Sequence, residues 1–125
     1  MDNFKLDTKE KFNVITPKTA LTSDIKADEL RQILVKRLSE PTKNVIVNME
    51  TVSEINSNTA EMLAETASDY LEANASFVLC HLSPSVKKVL DVLELTDVLN
   101  ITPTESEAWD IVQMEEIERE LLGEE

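Results

Sequence analysis

The sequence predicts an α/β fold: a small mixed sheet of four or five strands, mainly parallel, with about four helices packed on it. Short apolar runs alternate with longer stretches whose apolar residues recur at helical spacing. Strands separated by helices of that length pair in parallel through right-handed crossovers. The 125 residues suit one domain spanning the whole chain and large enough to bury a core, and the 42% apolar share is ordinary for a globular chain.

The elements follow in order. FKLDTKEKFNVIT reads as two short strands around a charged turn at Asp7 to Lys11, and Pro17 stops the second from continuing as a central strand. Ser23 or Asp24 caps a helix carrying Ala27, Leu30, Ile33, Leu34 and Leu38 at helical spacing, with Pro41 just beyond. The strand Asn44 to Met49 leads through a polar loop into a second helix, which runs to about Ala73 and sets Ala60, Leu63, Ala64, Ala67 and Leu71 on one face. Phe77 to Leu82 is the next strand. Ser83 and Pro84 then start a helix, serine as cap and proline at the first helical position, with Val86, Val89, Leu90 and Leu93 as its stripe. A brief strand around Leu99 to Thr102 precedes a capping box, Thr104 with Glu107, and a last helix through Trp109, Ile111 and Val112. The acidic tail, residues 114–125, either extends that helix or frays.

Composition removes several functions. Twenty-five acids against 12 bases give a formal charge of −13, which repels phosphate backbones and anionic lipid, so neither nucleic acid nor direct membrane contact is expected. A partner with a basic face suits this charge, as does a simple solvated acidic surface. Gly123 is the single glycine, which excludes glycine-rich phosphate loops. Cys80 is the single cysteine, so no intrachain disulfide or cysteine zinc site is expected. The start, MDNFKLDTKE, has no apolar signal core, and no apolar run is long enough to span a bilayer, giving a cytoplasmic expectation.

The loop Ile55-Asn56-Ser57-Asn58-Thr59 leaves the carboxyl end of a buried strand and enters a helix, where open α/β sheets place their working surface. The strand NVIVNM, the loop VSEINSNT, the strand SFVLCHL and the segment LSPSVKKVLDVLELTDVLNI together resemble the STAS domain, as in bacterial anti-sigma factor antagonists. The resemblance is strongest over residues 44–112. The family's switch motif is Asp-Ser-Ser-Gly, with the second serine or a threonine taking phosphate from a partner kinase. Those positions here are Asn56, Ser57, Asn58 and Thr59, so an asparagine without a hydroxyl occupies the acceptor place.

The resemblance implies a non-enzymatic protein-protein regulator without a cofactor. It would bind an anti-sigma factor or kinase-type partner through Asn56, Ser57, Asn58, Thr59 and Glu61 and switch partners to control transcription. The alternative within the same family is a constitutive subunit of a larger signalling or lipid-transport complex. Phosphorylation is either absent or moved to Ser57 or Thr59; the simpler account makes these loop and capping residues, with Asn58 as N-cap and Glu61 three residues on.

Other candidates reduce to structure. Glu50, Glu54 and Glu61 bracket the loop, but their spacing is not that of a calcium loop. Cys80 and His81 are neighbours in a strand and point to opposite faces, which argues against a catalytic pair, and the chain has no second histidine for a relay. Lys87 and Lys88 read as a solvated face. Trp109, Val112 and Met114 are expected mainly to pack the last helix on its sheet, with docking a partner as the other reading.

Overall fold

The structure is a computed structural model that describes residues 3–123; Met1 and Asp2 of the expected leaderless start, and Glu124 and Glu125 of the acidic tail, lie outside the described residues. Strands β1 (Phe4–Thr8) and β2 (Asn13–Pro17) form a hairpin, followed by α1 (Asp24–Arg37), β3 (Val45–Asn48), α2 (Ser57–Glu72), β4 (Phe77–Cys80), α3 (Pro84–Val92), a 3-10 turn at Thr96–Val98, β5 (Asn100–Thr102) and α4 (Glu105–Gly123). The sheet order is β1-β2-β3-β4-β5. Only the β1–β2 pair is antiparallel; Val14 pairs with Ile46, Val47 with Leu79 and Leu79 with Ile101 in the parallel part. The expected mainly parallel sheet is what forms.

Side chains alternate across the pleat. Val45, Val47, Phe77 and Leu79 face the helices on one side, where Leu30 and Leu34 of α1, Leu63 and Tyr70 of α2, and Leu90 of α3 complete the larger core. Ile46, Val78 and Cys80 face the other side, which α4 covers with Ala108 and Val112. Burying each of the large aliphatic side chains contributes roughly 1.5–3 kcal/mol, so the thicker layer carries most of the stability.

The helix boundaries have local causes. Ser23 Oγ accepts the Lys26 N–H (3.2 Å) and Ser83 Oγ the Val86 N–H (3.2 Å), with Pro84 in the first turn of α3. Thr104 Oγ1 accepts the Glu107 N–H (3.2 Å) and donates to the Glu107 carboxylate (3.0 Å), so the expected box closes through the hydroxyl. With one glycine in the chain, two C-terminal turns use left-handed residues that carry side chains: Asn74 (φ 59°) after α2 and Glu94 (φ 59°) after α3. Each closes a Schellman pair, Ala75 N–H to Tyr70 O with Asn74 N–H to Leu71 O, and Leu95 N–H to Leu90 O with Glu94 N–H to Asp91 O.

Two expectations are corrected, and the tail, left open between two forms, takes one of them. The buried stripe of α2 is Thr59, Ala60, Met62, Leu63, Thr66 and Tyr70, so the helix is rotated by about a residue and Leu71 stands in solvent. Of the acidic tail's two readings the helical one applies as far as Gly123. Trp109 is 44% exposed rather than core: Ala108 and Val112 make the contact with the sheet, and the indole lies beside Phe12, ring centroids 5.8 Å apart.

Candidate functional site

The carboxyl ends of β3 and β4 share one end of the sheet with the N-termini of α1, α2 and α3, and the loop between β3 and α2 ties them together. Met49, Val52 and Ile55 point inward from this loop and are buried. Ile55 bridges Leu21 in parallel, and the Leu21 N–H donates to Glu54 O (3.0 Å). Leu21 O then accepts two bonds, from the Asn56 N–H (3.3 Å) and from the Thr59 hydroxyl (2.9 Å). Ser83 Oγ, at the start of α3, also donates to Ser53 O (3.2 Å). The loop is held on both sides by backbone and hydroxyl bonds.

The cap of α2 is Asn56, not Asn58: its Oδ1 accepts the Thr59 N–H (2.8 Å) and its amide donates to Thr22 O (3.0 Å). The expected Asn58–Glu61 capping pair does not form because the helix begins two residues earlier than that pairing requires. Asn58 lies in the first turn, exposed, and its amide donates to the Asp24 carboxylate at the start of α1 (2.9 Å). Ser57 is the first helical residue and is exposed, as is Glu61. Thr59 is 0% exposed, its hydroxyl spent on Leu21 O. The five expected site residues therefore divide: Ser57, Asn58 and Glu61 form a surface, while Asn56 and Thr59 hold it from behind.

Below this surface Asn48 is buried at the end of β3; its Oδ1 accepts the Glu50 N–H (3.0 Å) and its amide donates to Glu105 at the start of α4 (2.9 Å). Asn48 is not among the site residues expected from the sequence, although a polar residue ending an apolar strand is a readable signal. Cys80 is buried beside it, and its thiol is pushed up to about 12 by burial, with Glu105 and Glu50 adding to the shift, so it is a poor nucleophile. His81 leaves the strand in the left-handed region (φ 58°) instead of continuing the pleat. Lys87 and Lys88 are exposed on α3, as expected. Among the described residues, no group of three or more His, Cys, Asp or Glu side chains is placed to hold a metal ion, and no helix is long and apolar enough to cross a membrane.

Solved structures share this arrangement. A Thermotoga maritima protein assigned as an anti-sigma factor antagonist superposes with a TM-score of 0.80 at 18% identity, covering 88% of this chain and 94% of that one. The anti-sigma factor antagonist SpoIIAA in its unphosphorylated form gives 0.71 at 21% identity, over 88% and 96%. A chain from the stressosome, a signal integration and transduction hub, gives 0.66 at 13% identity, over 87% and 96%. At these identities the likeness is one of fold. No curated protein matches by sequence. The family model for the STAS domain matches residues 5–108, from the first strand into the last helix. The chain belongs to the STAS domain family.

Proposed function

We propose that this chain is a non-enzymatic regulator that binds a protein partner of the anti-sigma factor or kinase type through residues 53–61. The observation that carries the reading is the division of labour in that segment. Its inward residues and Thr59 lock the backbone onto Leu21, leaving Ser57, Asn58 and Glu61 exposed on an ordered surface. A surface fixed before binding loses little entropy when a partner docks. The role carries no cofactor, and a cytoplasmic location fits such a partner.

Of the two hydroxyls beside the Asn58 position, Ser57 is the one that a partner kinase can reach. Phosphate there adds about −1.5 to −2 charges at the first residue of α2, where the helix dipole tolerates it while a docked partner meets new charge. Phosphorylation of Thr59 requires the first turn of α2 to open and release Leu21 O, so Thr59 is the secondary position. The constitutive-subunit alternative calls for a broad apolar contact, and the exposed side chains of residues 56–61 are polar.

The test is a pull-down from native lysate with the wild-type chain and with the double variant Ser57→Glu, Asn58→Asp. Recovery of an ATP-dependent kinase or anti-sigma factor by the wild type alone supports the reading. Equal recovery by both forms refutes the interface.

A further inference from the structure

Helix α4 runs antiparallel to the central strands. Its Glu105 meets Asn48 at the carboxyl end of β3, and its Arg119 meets Asn44 Oδ1 (3.2 Å) and Ser76 Oγ (3.1 Å) at the amino ends of β3 and β4. The helix is seated by Ala108 and Val112, then by this polar cluster. Its outer side carries a second apolar stripe: Met114 (58% exposed), Ile117 (57%) and Leu121 (69%), at i, i+3 and i+7. A helix lying on a sheet needs one apolar face, and this stripe turns away from the fold. It lies at the opposite end of the sheet from residues 53–61.

Charge decides what covers it. Asp110, Glu118 and Glu120 adjoin the stripe at helical spacing, and the one base of α4, Arg119, is turned inward to Asn44 and Ser76. A second copy laid on the stripe would bring acids against acids, and an anionic bilayer would be repelled. A helix with its own i, i+3, i+7 apolar anchors and lysines or arginines beside them satisfies both features. We propose that the Met114–Ile117–Leu121 stripe is a docking face for a basic amphipathic helix of a partner protein, separate from the loop surface.

The probe is a fluorescein-labelled helical peptide with leucines at heptad a and d positions and lysines between them; its control carries glutamates in place of the lysines. Anisotropy is read on the full chain and on two variants checked by circular dichroism. The expected result is saturable binding of the lysine peptide and none of the glutamate peptide. The triple variant Met114→Gln, Ile117→Gln, Leu121→Gln weakens binding by about tenfold or more. Asp110→Asn with Glu118→Gln and Glu120→Gln also weakens it and reduces its salt dependence. Equal binding by the triple variant, or equal binding of the glutamate peptide, overturns the proposal. A wild-type dimer that the triple variant converts to monomer also overturns it, in favour of a second copy.

Discussion

Replacing Asn56 by alanine tests the organisation of the loop directly. The substitution removes the acceptor for the Thr59 N–H, a 2.8 Å cap bond, and the amide bond to Thr22 O at 3.0 Å. Losing an N-cap side chain costs about 1 kcal/mol, with a range of roughly 0.5–2. The exposed amide bond adds about 0.5 kcal/mol. The expected loss is about 1.5 kcal/mol, a fall in Tm of roughly 6 °C for a chain of this size. Asn58→Ala removes one solvent-exposed bond to Asp24 and should cost about 0.5 kcal/mol or less. Asn56→Asp keeps the acceptor and adds a negative charge at the helix start, so it should restore most of the stability. Urea melts of the three variants, followed by circular dichroism, measure the differences. An Asn58→Ala loss equal to or larger than that of Asn56→Ala would refute the cap assignment and the loop geometry built on it.

Other substitutions probe the layers around the loop. Tyr70→Phe removes a buried hydroxyl that donates to Leu34 O near the end of α1, and should cost about 1–2 kcal/mol in chemical denaturation; an unchanged midpoint would mean the bond is not made. Glu94→Gly relieves a left-handed residue (φ 59°), worth about 1–2 kcal/mol before the entropy of glycine is subtracted, so the unfolding free energy should rise by about 0.5–1 kcal/mol; a lower denaturation midpoint contradicts the Schellman turn. Cys80 keeps its proton to about pH 12 when folded against 9.0 when unfolded, so its contribution is complete below pH 9 and is lost as pH rises toward 12. Between those limits Cys80→Ala should show a shallower decline in stability than the wild type, and native Cys80 should resist iodoacetamide until the chain unfolds. Rapid labelling of the folded protein would show that the thiol is not enclosed.

What the sequence discloses depends on how local each cause is. The Ser83-Pro84 start, the Thr104–Glu107 pair and the short apolar runs Val45–Val47 of β3 and Phe77–Cys80 of β4 are read within a few residues, and all sit where expected. The cap of α2 is ambiguous locally, because Asn56 and Asn58 are both good caps and the choice falls to Leu21. That carbonyl accepts from both the Asn56 N–H and the Thr59 hydroxyl. The burial of Thr59 is invisible for the same reason: the partner lies 38 residues earlier in the chain. Trp109 misleads because indoles usually seek a core, whereas α4 meets a narrow sheet face through two small side chains, Ala108 and Val112, leaving room for the ring only at the edge beside Phe12. Glu94 gives no turn signal, since glycine or asparagine is the residue by which left-handed caps are normally found, whereas Asn74 after α2 is such a residue.

Hydrogen–deuterium exchange on the complex with the captured partner tests the central claim, that the partner reads the exposed edge of α2. Added protection is expected in residues 53–61, and its loss in the Ser57→Glu, Asn58→Asp variant at the same partner concentration. Protection confined to α4 or β1, with residues 53–61 exchanging as in the free chain, would contradict the claim.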